Sequence, residues 1–139
     1  MTATDPSPSA TADRLRRAVN AHDLDALTDC FAADFVNETP AHPARSFTGR
    51  EQVRMNWAQI FAGVPDIQAE IVRGTVDDGT VWLEWEMRGT RRDGAPHLMR
   101  GVSIFDEREG RFAAVRFYLE AVEQDGAGID ATVREQVGR

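Results

Sequence analysis

Apolar residues follow two different rhythms along this chain, and the change between them divides it. Beyond ten opening residues rich in Pro, Ser and Thr, Leu15, Ala18 and Val19 recur with arginines among them. That i, i+3, i+4 spacing predicts an amphipathic helix with Thr11 as its N-cap and His22 as its end. Asp23 caps a second predicted helix, whose stripe is Leu24, Leu27, Cys30 and Phe31 and which runs to about Ala33. An extended run from Phe35 to Thr39 is stopped by Pro40, and Pro43 keeps the next residues irregular. Gly49 then leads a third helix over 50–62, with Val53, Trp57, Ile60 and Phe61 on one side and Gly63 as its stop.

After Pro65 the helical period gives way to strict alternation. The runs 67–76, 80–91, 97–106 and 111–122 each alternate, separated by Asp78-Gly79, Asp93-Gly94 and Glu109-Gly110, all hairpin signals. Three helices followed by a four-stranded antiparallel meander is an α+β order, with the helices packed on one face of one sheet. Asp125-Gly126-Ala127-Gly128 forms a flexible joint, and 129–137 a short terminal helix. The expected organisation is therefore a disordered leader over 1–10, one domain over 11–123 and a flexible tail over 124–139.

Composition narrows the chemistry. The chain has 139 residues, 16 basic against 23 acidic, and a net charge of −7, so the basic footprint of a nucleic-acid binder is missing. All 16 basic residues are arginines, which removes every mechanism needing a Schiff-base amine, pyridoxal phosphate included. The lone cysteine, Cys30, excludes an internal disulfide and a multi-cysteine zinc site. No apolar run approaches membrane-spanning length, and the opening residues, Met1 to Ala12, are polar rather than charged and then apolar, so the expectation is a cytoplasmic protein with no membrane partner. The three histidines are scattered along the chain and form no cluster with metal-ligand spacing, so no metal is expected, nor any other cofactor.

Several short stretches stand in a particular order: Asn20-Ala21-His22-Asp23-Leu24-Asp25-Ala26-Leu27, Phe31-Ala32-Ala33-Asp34-Phe35, Phe47-Thr48-Gly49-Arg50-Glu51, Trp85 with Gly89-Thr90, Arg100-Gly101-Val102, and Gly110-Arg111 ahead of Arg116-Phe117-Tyr118-Leu119-Glu120. In this order and spacing the chain resembles the nuclear transport factor 2-like superfamily. Its cone-shaped α+β fold is shared by ketosteroid isomerases, limonene epoxide hydrolases and SnoaL-like polyketide cyclases. The resemblance spans about Thr11 to Val122 and implies a curved antiparallel sheet covered by three N-terminal helices, with a pocket inside the cone. It carries the fold rather than a function, because this fold hosts enzymes and binders alike.

Alternation and the resemblance together assign the pocket face. On the second long strand Leu83, Trp85 and Met87 are the uncharged set, and on the fourth Phe117 matches them. On the third, the resemblance to the isomerases favours His97, Met99 and Ser103. With Asn37, Thr39, Trp57 and Phe61 these residues predict a mainly apolar cavity for a small hydrophobic, ring-bearing molecule.

The family chemistries fit poorly. An isomerase of this fold needs a tyrosine, a carboxylate base and a second acid. The resemblance puts Leu15, Thr39 and Ser103 at those places. A limonene-type hydrolase needs an Asp-Arg-Asp array, and the matching positions carry Trp85, Met87 and Phe117. The SnoaL-like cyclases use an aspartate and a histidine, where this chain has Ser103 and Arg91. Two histidines are left as candidate general bases. His42 lies in a proline-framed loop, either solvent-exposed or a base with Arg45 as anion-binding partner; His97 is either an edge residue or part of the pocket rim. The readings that stand are a cyclase or isomerase with a histidine base, and a non-catalytic binding or accessory protein. The outward sheet face, which mixes Trp82, Leu98, Val102, Ile104 and Tyr118 with charges of both signs, predicts a homodimer packed through it.

Overall fold

A computed structural model describes residues 7–138; most of the expected leader lies outside them. Helix α1 (Ala10–Ala21) starts earlier than its stripe suggests. Ser9 rather than Thr11 is the cap, its Oγ accepting the N–H of Ala12 at 3.1 Å. Thr11 is instead buried inside the first turn, where its hydroxyl donates to Gly110 O across 3.1 Å. His22 ends α1 in the left-handed region at φ 55°, and its ring bonds Ile67 O at 2.9 Å.

Helix α2 (Leu24–Asp29) is shorter than predicted, and β1 (Phe31–Glu38) takes over where helix was expected to continue. Cross-chain partners explain the difference. Phe112 N donates to Cys30 O at 2.8 Å, and Arg111 bonds both Asp29 O and Asp29 Oδ1. These contacts, more than 80 positions apart in sequence, draw the segment into the sheet, which a local stripe does not anticipate. Cys30 packs at this junction, fully buried, and burial pushes its thiol up.

A single turn of 3-10 helix (Pro43–Arg45) leads to a two-residue strand, β2 (Phe47–Thr48), and then to α3 (Arg50–Gly63). The meander follows as β3 (Gln68–Asp77), β4 (Thr80–Thr90), β5 (Pro96–Arg108) and β6 (Arg111–Ala121). An exposed helix, α4 (Ile129–Gln136), ends the described chain. The six strands form one sheet in the order β2-β1-β6-β5-β4-β3. All neighbours are antiparallel except β1 and β6, which run parallel, a pairing that the wholly antiparallel expectation did not include. Strand β1 joins the edge that the meander leaves last, and it approaches that edge from the helical layer rather than through a hairpin.

The hairpin signals are realised in the backbone. Asp78-Gly79 and Glu109-Gly110 each carry two consecutive positive φ angles, the geometry a tight primed turn needs. Gly101, in mid β5, has φ +153°; a Cβ there would meet the carbonyl oxygen of Tyr118 and Cα of Leu119. Alternation along β4 to β6 then sends Val81, Leu83, Trp85, Ser103, Phe105, Val115 and Leu119 to one buried face. Leu15, Ala18 and Val19 of α1 and Val53 of α3 pack against this face. The helices cover the sheet only in part, and the space between the two layers is the cavity described next.

Candidate functional site

The cavity has a volume of about 320 Å³ and opens between α3, the loop after β1 and the ends of β4, β5 and β6. Its walls are overwhelmingly apolar: Trp57 and Ile60 come from α3, Phe35 from β1, Trp85 and Met87 from β4, Met99 from β5 and Phe117 from β6. Residues two apart on neighbouring strands reach it together because the period of two returns each side chain to the same face.

Few polar groups interrupt this lining. Ser103 is 1% exposed, and its Oγ accepts the indole N–H of Trp85 at 2.8 Å. Gly101, directly opposite Trp85 in the β4–β5 register, has no side chain, so the indole lies diagonally toward Ser103. Thr39 is likewise buried, and its Oγ1 accepts Asn37 Nδ2 at 2.9 Å. Each hydroxyl thus has one lone pair occupied by an N–H, while its own proton has no acceptor among the described residues. Asn37 stands opposite Val115 and Glu38 opposite Arg116, so Thr39 continues that ladder toward Phe117, which pairs with Ser103. The two hydroxyls therefore belong to one band across the inner sheet face.

Asn56, Arg45 and His97 complete the polar lining. Asn56 Oδ1 is taken by Gln52 Nε2 at 2.8 Å. His97 is half-buried at the start of β5, opposite Gly89, and its ring makes no hydrogen bond among the described residues. It stands between the cavity and a shallow surface groove bordered by Gly63, Val64 and Arg92. No aspartate or glutamate lines the cavity among the described residues.

The structure brings together most of the residues expected at the pocket: Asn37, Thr39, Trp57, Trp85, Met87, His97, Met99, Ser103 and Phe117. Three fall elsewhere. Leu83 is wholly buried in the core, because alternation specifies the face but not how far along the strand the cavity extends. Phe61 turns toward the helix junction, its ring stacked on His22 with centroids 5.0 Å apart. His42 does not line the cavity; its Nε2 lies 3.1 Å from Glu120 Oε1, on the outer rim. Leu15, the cavity residue at the position where the resemblance would require a tyrosine, offers only methyl groups. Sequence reasoning missed Asn56, which shares the turn of α3 that carries Trp57, and it named Arg45 only as a companion of His42.

A SnoaL-like domain model matches residues 12–115. The chain belongs to the SnoaL-like domain family. No curated protein matches the sequence. Among solved structures, a Catenulispora acidiphila protein with a ketosteroid isomerase-like fold, crystallised with trimethylamine, is 19% identical with a TM-score of 0.69, over 81% of this chain and 87% of that one. A provisionally assigned polyketide cyclase from Sinorhizobium meliloti is 22% identical with a TM-score of 0.63, over 81% of this chain and 94% of its own. An LEH-like epoxide hydrolase of M. tuberculosis is 16% identical with a TM-score of 0.68, over 79% of this chain and 80% of that one. At these identities the likeness to solved structures is one of fold alone.

Proposed function

We propose that this SnoaL-like domain binds a small hydrophobic, ring-bearing molecule inside the cone and holds a carbonyl oxygen of it through the hydroxyls of Thr39 and Ser103. The observation that carries the reading is the pairing of an apolar cavity with two buried hydroxyls, each already accepting an N–H and each left with a proton to donate. Such donors favour a ligand that accepts hydrogen bonds, and the aromatic and thioether walls favour a flat apolar body.

A second reading, cyclase- or isomerase-like catalysis, is favoured by His97, whose imidazole lines the same cavity and makes no hydrogen bond among the described residues. Neutral His97 takes a proton from the carbon next to the ligand carbonyl; the C–H electron pair moves into an enolate whose oxygen the two hydroxyls hold. In a cyclisation the enolate carbon attacks a second carbonyl of the same molecule, and protonated His97 returns its proton to the new alkoxide. One histidine typically supplies about 10²–10⁴-fold, and with no carboxylate beside it the turnover is modest.

Binding is tested with the fluorescent hydrocarbon amine N-phenyl-1-naphthylamine, and catalysis by deuterium exchange at the α-carbons of 2-tetralone in D2O, followed by NMR. The binding reading expects saturable enhancement of the dye, displaced by 2-tetralone; no enhancement overturns it. The catalytic reading expects exchange above the buffer rate that His97→Gln abolishes and His42→Gln leaves unchanged. Exchange indifferent to His97 leaves binding as the function.

A further inference from the structure

Arg45 is the one permanently charged side chain lining the cavity among the described residues, and no carboxylate faces it from inside. Its position is set by a short, closed loop. Thr39 N donates to Ser46 Oγ at 3.0 Å, His42 N to Thr39 O at 3.0 Å, and Arg45 N to His42 O at 2.9 Å. Pro40 and Pro43 remove further backbone freedom, so the residue is held at the rim from both sides. Its guanidinium makes no hydrogen bond among the described residues. Most other arginine–carboxylate pairs in this chain close to 2.9 Å or less, as Arg111–Asp29 does at 2.8 Å and Arg54–Asp25 at 2.7 Å. Arg45 Nη1 lies 3.9 Å from Glu120 Oε1, and that oxygen already accepts the ring N–H of His42 at 3.1 Å. Arg45 is thus a donor fork at the mouth of an apolar cavity whose nearest counter-charge is engaged by another residue.

We infer that the cavity selects ligands whose apolar body ends in an anionic group, a carboxylate or sulfonate, and that Arg45 pairs with that group at the rim while Glu120 stays with His42. This rests on the reading of the cavity as a ligand site and narrows the ligand class. A planar guanidinium meets a carboxylate or sulfonate with two parallel N–H donors, a match that a cation or neutral end group cannot provide. The net charge of −7 opposes anion capture over the surface as a whole, so the preference is local to this residue.

Two probes that share a frame isolate the charge: 8-anilino-1-naphthalenesulfonate and its uncharged parent N-phenyl-1-naphthylamine, both read by fluorescence. Arg45→Gln is expected to weaken the sulfonate about tenfold and to leave the neutral dye within about twofold. Arg45→Lys restores part of the loss, and Glu120→Gln, which removes the negative charge 3.9 Å from Arg45, tightens the sulfonate only. The neutral dye also reports that each variant keeps its cavity. The inference is overturned if Arg45→Gln changes both dyes equally or neither, or if the neutral dye does not displace the sulfonate. If the wild-type chain binds the sulfonate but not the neutral dye, or neither of them, the cavity reading itself fails and this inference fails with it.

Discussion

Trp85 and Ser103 hold one another on the inner face of the sheet, the indole Nε1 of β4 donating across 2.8 Å to the hydroxyl of β5 while both side chains are at most 2% exposed. The bond links packing to recognition: it satisfies the only polar atom of a large buried ring, and it leaves the serine proton without an acceptor among the described residues. Ser103→Ala strands the indole N–H, and a buried donor without a partner costs about 1–3 kcal/mol. A chemical denaturation midpoint lowered by that amount, with Trp85→Phe/Ser103→Ala costing less than the sum of the single changes, is the expected result. Additive losses would show that the two side chains are not coupled.

Thr39→Val keeps the shape of the side chain and removes its hydroxyl. With Asn37 Nδ2 then unpartnered, stability falls by about 1 kcal/mol or more. The informative comparison is between 2-tetralone and tetralin: the ketone weakens several-fold and the hydrocarbon hardly changes. Equal weakening of both would mean that the hydroxyl meets no ligand oxygen.

On the outer sheet face, Trp82 is 45% and Tyr118 36% exposed, and the β4–β5–β6 register places Ile104 opposite Trp82 and Val102 opposite Tyr118. Ion pairs flank this apolar diagonal, Arg100 with Glu86 at 2.7 Å and Arg116 with Glu38 at 2.9 Å. We propose that a second copy of the chain covers it. Light scattering is then expected to give twice the chain's 15.4 kDa at micromolar concentration, falling to the single-chain value for Trp82→Arg combined with Val102→Glu. A single-chain mass for the unmodified protein would exclude the proposal.

Gly101→Ala places a Cβ against the backbone of Tyr118 and Leu119, where neither neighbour can swing away. A loss of more than about 1 kcal/mol is expected, with the near-ultraviolet signal of Trp85 changed because the substituted residue faces it. A variant as stable as the parent would show that this strand relaxes freely.

Stability should also fall in acid. The hydrogen bond from Arg111 holds the Asp29 carboxyl below its ordinary 3.8, and Arg108 does the same for Asp34. A carboxylate whose folded-state value is depressed stabilises the fold above its unfolded value, and the contribution disappears as pH drops through the folded one. Thermal midpoints should therefore hold steady from these groups at neutral pH and decline below about pH 4, less steeply in Asp29→Asn. Both pairs are exposed, so each contribution is small and shrinks further in high salt.

Local patterning determined a great deal about this chain. Leu15, Ala18 and Val19 mark a helix face wherever that helix docks, and Trp85, Met87, Met99 and Phe117 share a sheet face because a strand returns to the same side every second residue. That Thr39, Ser103, Trp85, Met87 and Phe117 stand where the family's enzymes carry catalytic groups came from the resemblance and not from periodicity. What required tertiary structure was whatever depends on partners remote in sequence. Phe31 left its helix stripe because Phe112 and Arg111 bound the chain beside it, and β1 paired parallel with β6 for a reason held in neither strand alone. Both Leu83 and Trp85 face inward, yet only the packing of the helices decides which of them meets open space. His42 and Arg45 share one loop, and the position of Glu120, nearly eighty residues further on, directs the imidazole outward and leaves the guanidinium at the cavity mouth. Periodicity reports which side of an element a residue occupies; depth, partners and open volume arise only when distant elements exclude water together.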